Sequence, residues 1–310
     1  MTWKQTALAA ALLMASACSS SDKGGDTAAE RTAARGAASV AASDTVDKLV
    51  DVGGHRLHVR TVGHGSPAVV VCEGVGGGWS IWQGVADSIG RENRFVLYER
   101  AGYGQSDPGP MPRTADRIVI ELEHLLENTP VEPPYVLVGH SLGAQYAMYY
   151  ALEHFDQVVG LVVLDPPPLE FALGNQFPVL RAMVDKQTEE MQRDAVFARA
   201  NGDTAQADFL RTVASEHANA FTTNAEYLAQ VESLRDLPFV VVGSGVPNPA
   251  FGDSASAFQK FWRKSNESLS HLSTRGRFVF VEGSSHNLPR EATARVVAAI
   301  RSVMPDTLRR

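Results

Sequence analysis

The sequence predicts an α/β fold, a mostly parallel sheet covered by helices on both faces. Three observations carry that prediction. Compact apolar runs alternate along the chain with helical stretches. Most of these runs lack polar–apolar alternation, so they suit strands buried on both faces. One serine stands in a Gly-x-Ser-x-Gly pattern where such a run meets a helix. At 310 residues and 44% hydrophobic side chains the chain can bury a sizeable core. A net charge of -7 without a long basic run argues against nucleic acid as a partner.

The first 17 residues read as a signal peptide: Lys4, then an apolar run too short to span a bilayer, then Ala-Ser-Ala before Cys18. Small residues directly before a cysteine resemble the lipobox of bacterial lipoproteins. The resemblance implies cleavage before Cys18, acyl chains on that residue and an exported, membrane-anchored protein of the cell envelope. The other reading is an ordinary secretory signal cut at Ala17, with a periplasmic or secreted product. Residues 18–45 are rich in Ser, Ala and Gly and nearly free of large apolar side chains, which predicts a flexible linker.

The folded domain is expected over 46–310. "HRLHVRTVG" alternates with period two and suits a strand near a sheet edge. "AVVVCEG", "RFVLYER", "YVLVGH", "GLVVLD", "PFVVVGS" and "RFVFVEG" are the buried type. Between them "SIWQGVADSIG", "TADRIVIELEHLLENT" and "LGAQYAMYYALEHF" read as helices, giving the βαβα rhythm of a parallel sheet. From about 169 to 235 the rhythm breaks into helix-compatible sequence carrying Phe171, Phe177, Met183, Met191, Phe197 and Phe209. Such an insertion at the C-terminal edge of the sheet predicts a helical cap, with these side chains mostly forming its own core. Cys72, within an apolar run, is expected to be a buried small hydrophobe.

Ser141 lies between Gly139 and Gly143, after a buried strand and before a helix. A serine on so sharp a turn needs neighbours without bulk two residues away. The turn lifts Oγ above the sheet and points the next N–H at the helix start. With "YERAGYGQSD", "PPYVLVGHSLGA" and "STRGRFVFVEGSSHNLP", the chain resembles the α/β-hydrolase superfamily from about residue 46 to its end. The resemblance implies an eight-stranded twisted sheet, a helical cap after the sixth strand, and a Ser, Asp, His order of catalytic groups. His286, the last of nine histidines, then supplies the general base. His140 is expected to point away along the turn as a pocket or packing residue. His55 and His58 would face opposite sides of a strand, and no metal-binding spacing is found, so neither metal nor cofactor is expected.

The acid is less direct. Most relatives carry it after the strand that here reads "PFVVVGS", but that loop offers Asn248 and only later Asp253. "GLVVLDPPP" ends the strand following the nucleophile's helix, and its prolines fix the loop that carries Asp165. Asp165 is therefore favoured and Asp253 stays the alternative, since chain order allows both. In relatives a His-Gly pair opens the loop after the third strand; here it is Glu73-Gly74. The residue after that glycine, Val75, together with Leu142, is implied as the pair of backbone donors to an oxyanion. Trp79 and Trp82 suit either an acyl pocket or the core. These features imply hydrolysis of a small acyl ester through an acyl-enzyme. A serine speaks against the dehalogenase and epoxide-hydrolase branches, which attack with an aspartate. Thioester, lactone or amide hydrolysis, or a non-catalytic envelope lipoprotein that binds a ligand or partner, are the rival expectations.

Overall fold

The computed structural model describes residues 45–170 and 178–305. The expectations for the signal peptide, Cys18, the linker, Phe171 and Phe177 fall outside the described residues.

Eight strands form one sheet: β1 (Val46–Asp51), β2 (Arg56–Val62), β3 (Ala68–Cys72), β4 (Phe95–Tyr98), β5 (Tyr135–His140), β6 (Val158–Leu164), β7 (Phe239–Ser244) and β8 (Gly276–Val281). Their order is β1-β2-β4-β3-β5-β6-β7-β8. The two pairings that involve β2 are antiparallel, and the rest of the sheet is parallel. Every residue of β3, β4, β5 and β7 is buried, as unbroken apolar runs require when both faces are covered. In β1, "VDKLVD", only Val50 is buried, which suits an edge strand.

One face of the sheet is covered by α1 (Trp79–Ile89) and the C-terminal helix, with Trp82, Val85, Ile89, Val296 and Ile300 in a shared core. The other carries α2 (Ala115–Glu127) and α3 (Gly143–Glu153), whose Ile118, Leu122, Tyr146 and Tyr150 join the larger core. Between β6 and β7 run α4 (Pro178–Ala200), α5 (Thr204–Ala220) and α6 (Thr223–Ala229), the expected helical insertion. Met191 is buried in it, and Met183 and Phe209 pack against the core. Phe197 departs from the expectation at 48% exposed, because it lies on the outer side of α4. Helix α7 (Ala255–Ser270) leads into β8, and α8 (Thr293–Val303) closes the fold.

Two glycines fix the β5–α3 junction. A Cβ on Gly139 would lie 2.4 Å from Ala144 Cα, and one on Gly143 would lie 2.0 Å from Cys72 O. No larger residue fits either place without moving backbone, so the strand and helix meet at this angle only with glycine there.

Candidate active site

Of the described non-glycine residues, three have a positive φ: Ser141 (53°), Asp165 (47°) and Arg235 (54°). Such backbone is strained for an L-residue and persists where the surroundings over-determine it. Two of the three are the sequence candidates for nucleophile and acid. Both turns are pinned to the neighbouring strand: Ser141 N–H donates to Leu164 O at 2.9 Å, and Asp165 N–H donates to Val242 O at 2.7 Å. The ends of β5, β6 and β7 are thereby stitched into one ledge.

His286 Nδ1 lies 2.7 Å from Asp165 Oδ2. The same carboxylate accepts Ser244 Oγ–H at 2.8 Å and Ser244 N–H at 3.1 Å, with Asn266 Nδ2 at 3.5 Å. Asp253 stands on an exposed 3-10 turn at Pro249–Ser254, and His286 Nδ1 is taken by Asp165. Asn248, at the usual acid position, accepts Ala250 N–H within that turn. Sequence reasoning missed Ser244 and Asn266, because donors that hold a carboxylate have no spacing signature.

Ser141 is 2% exposed. Its Oγ and His286 Nε2 are both buried, and among the described residues neither has a hydrogen-bond partner. A nucleophile–base bond is commonly long in a site without substrate and tightens in the reacting complex. Leu142 caps the start of α3, where helix N–H groups have no intrahelical acceptor. Val75 follows Gly74, and a Cβ on Gly74 would lie only 2.9 Å from Ser141 Cβ. The loop that carries Val75 thus passes directly over the serine.

His140 does not point away as expected. Its Nδ1 lies 3.0 Å from Glu73 Oε1 and its Nε2 lies 2.9 Å from the carbonyl oxygen of His286. Its ring centroid is 5.0 Å from that of His286. Burial opposes charge on His140, but the Glu73 hydrogen bond and charge outweigh it and raise its pKa above the ordinary histidine value. Trp82 packs fully buried against Phe95 and His140, and Trp79 sits under Arg60, so both serve packing. Cys72 is fully buried, and burial pushes its thiol up to about 12, well away from reactivity.

A second buried cluster joins the cap to this loop. Arg100 donates to the carbonyls of Glu73 and Gly74 and, through Nε and Nη2, to both oxygens of Glu216 on α5. Tyr103 Oη–H adds a bond to Glu216 at 2.9 Å. A cavity of about 220 Å³ lies here, lined by Glu73, Gly74, Arg100, Tyr103 and Phe209 among others. A smaller one of about 60 Å³ borders Asp165, His286, Phe258 and Trp262. Among the described residues no group of three His, Cys, Asp or Glu side chains is placed to hold a metal ion. His55 instead pairs with Glu121, and His58 with Asp47 and Glu99.

The family model described as alpha/beta hydrolase fold matches residues 67–281. The uncharacterized protein YqjL of Bacillus subtilis is 27% identical over 259 residues, 83% of this chain and 92% of that one. Lipase LipV of Mycobacterium tuberculosis is 39% identical over 111 residues, 36% of this chain and 41% of the lipase. The crystal structure of epoxide hydrolase VrEH1 from Vigna radiata aligns with a TM-score of 0.61 at 16% identity, over 83% of this chain and 97% of that one, a likeness of fold. The chain belongs to the alpha/beta hydrolase fold family.

Proposed function

We propose that this α/β hydrolase cleaves carboxylic esters with Ser141 as nucleophile, His286 as general base and Asp165 as the acid that orients it. One observation carries the reading. Two buried polar atoms, Ser141 Oγ and His286 Nε2, are left unpaired while the far nitrogen of the same imidazole is held at 2.7 Å by Asp165. Nine other buried side-chain atoms among the described residues also lack a partner, so the weight falls on the company these two keep: Ser141 stands on a strained turn, and the far side of the His286 ring is held by a buried carboxylate.

In the reaction so assigned, Ser141 Oγ attacks the ester carbonyl as its proton passes to His286 Nε2. Asp165 accepts from Nδ1–H, fixing the tautomer and stabilising the imidazolium. The N–H groups of Val75 and Leu142 receive the oxyanion; each such donor is typically worth about 10²–10³ in rate. The alcohol leaves with the proton from Nε2. Water, deprotonated by the same nitrogen, then attacks the acyl-enzyme, and Ser141 is released with a carboxylic acid. Ser141 at the elbow favours this acyl chemistry over attack by an aspartate.

Labelling the purified chain with a fluorophosphonate probe tests the assignment. The expected result is one adduct at Ser141, absent in Ser141→Ala, with p-nitrophenyl ester turnover lost in parallel. A folded wild type that neither labels nor turns over esters overturns it in favour of a non-catalytic binder. The sequence before residue 45 supports a further proposal, export and lipidation at Cys18. Incorporation of labelled palmitate that disappears in Cys18→Ser is the expected outcome, and incorporation unaffected by that change refutes it.

A further inference from the structure

We infer that Glu73 and His140 are positioning residues that clamp the backbone of His286 to the loop carrying Val75. The inference rests on the hydrolase reading above and adds two residues that the Ser141, His286, Asp165 mechanism does not use.

One of the two hydrogen bonds has a forced direction. The carbonyl of His286 only accepts, so His140 Nε2, 2.9 Å away, carries a hydrogen. At the other end, Glu73 Oε1 accepts Gly74 N–H at 2.9 Å and faces His140 Nδ1 at 3.0 Å. With Nδ1–H donating to that oxygen, the ring is an imidazolium with both N–H groups in use. The raised pKa of His140 agrees with this state. A single chain of contacts therefore runs from Gly74 through Glu73 and His140 to the backbone of His286, whose own ring reaches Asp165.

The loop around His286 explains the need. His286 follows the small residues Gly283, Ser284 and Ser285; Ser284 O accepts Gly245 and Val246 N–H at 3.0 Å each, and Glu291 accepts Ser285 N–H at 2.7 Å and Ser285 Oγ–H at 2.8 Å. Those bonds hold the two residues before the base. His140 holds the carbonyl of the base itself, and so the backbone from which its ring reaches Asp165. Errors of about 1 Å in such a placement cost about 10²-fold in rate. The charged or titratable groups that face His140 are Glu73 from the β3–α1 loop, His286 from the loop after β8, and Asp165 from the end of β6. Trp82 of α1 supplies an apolar wall.

The test compares three variants of the full chain by ester kinetics, fluorophosphonate labelling rate and thermal melting. In His140→Gln the amide nitrogen reaches the place of Nε2; in His140→Asn it is too short. His140→Asn is expected to lower kcat and labelling rate about 10- to 100-fold with KM little changed, and His140→Gln to recover most of the loss. Glu73→Gln tests the charge. With Glu73 present, the clamp is complete below the raised pKa of His140 and fails as pH rises through it, giving kcat an alkaline fall. In the Glu73→Gln variant the new amide donates to Nδ1 of a neutral ring, so that alkaline fall disappears. A kcat for His140→Asn within twofold of wild type overturns the clamp, as does a Glu73→Gln pH profile that superimposes on wild type. A loss in His140→Asn that His140→Gln shares in full also overturns it. Each requires an active wild type, whereas a wild type that does not label overturns the hydrolase reading instead.

Discussion

The ends of β6 and β7 lie side by side and have exchanged duties. β6 runs directly into Asp165, buried, at a positive φ, with three prolines after it. β7 ends on Ser244, which turns both its N–H and its hydroxyl toward that carboxylate, and its loop continues into Asn248 and an exposed 3-10 turn. Where one strand presents the acid, the other presents donors to it. The pairing of Leu164 with Val242 brings the two ends together beside the His286 loop, and the carboxylate that reaches its ring comes from the β6 side. In the proposed triad the acid thus stands on the β6 side of the ledge, and the β7 side holds it in place.

Four experiments probe this contrast. Asp165→Asn keeps the shape of the side chain and spoils its acceptor role toward Nδ1–H. The expected loss is about 10⁴-fold in kcat, measured on p-nitrophenyl esters; a loss below tenfold would return the role to another carboxylate. Moving the acid across the ledge, Asp165→Ser with Ser244→Asp, should recover at least tenfold over Asp165→Asn if the two ends are interchangeable. Ser244→Ala removes one donor from a buried carboxylate, a loss of about 1–2 kcal/mol, read as about a tenfold fall in kcat. Asp253→Asn should leave kcat within twofold of wild type; a larger fall would give the β7 side a share in the chemistry.

Much of this is legible in the sequence because it rests on local rules. Six buried apolar runs, one alternating strand and the glycine spacing around Ser141 follow from burial and turn geometry that a few neighbouring residues dictate, whereas His286 is reached through the chain order that the family resemblance implies. The edge strand β1 leaves little trace, since a strand with one buried residue carries almost no hydrophobic signal. Strand adjacency favours Asp165 in the sequence, but the approach of its carboxylate to His286 Nδ1 and the exposure of Asp253 show only in the fold. His140 reads in sequence as turned away from the site, because its partners stand 67 and 146 residues distant in the chain. Glu73 looks out of place beside an oxyanion for the same reason: the imidazole that faces it comes from another strand.

Arg100 has a mechanical consequence. Its guanidinium grips two carbonyls of the loop over Ser141 with one edge and the Glu216 carboxylate of α5 with the other, at 3% and 0% side-chain exposure. Removing one partner of such a buried pair costs about 3–5 kcal/mol, because it strands the other charge. Helix α5 is therefore anchored to the loop over Ser141 by a bond that, among the described residues, α4 lacks, so α4 is expected to open more readily than α5. Slower amide exchange along 204–220 than along 178–200 is the mark that arrangement would leave.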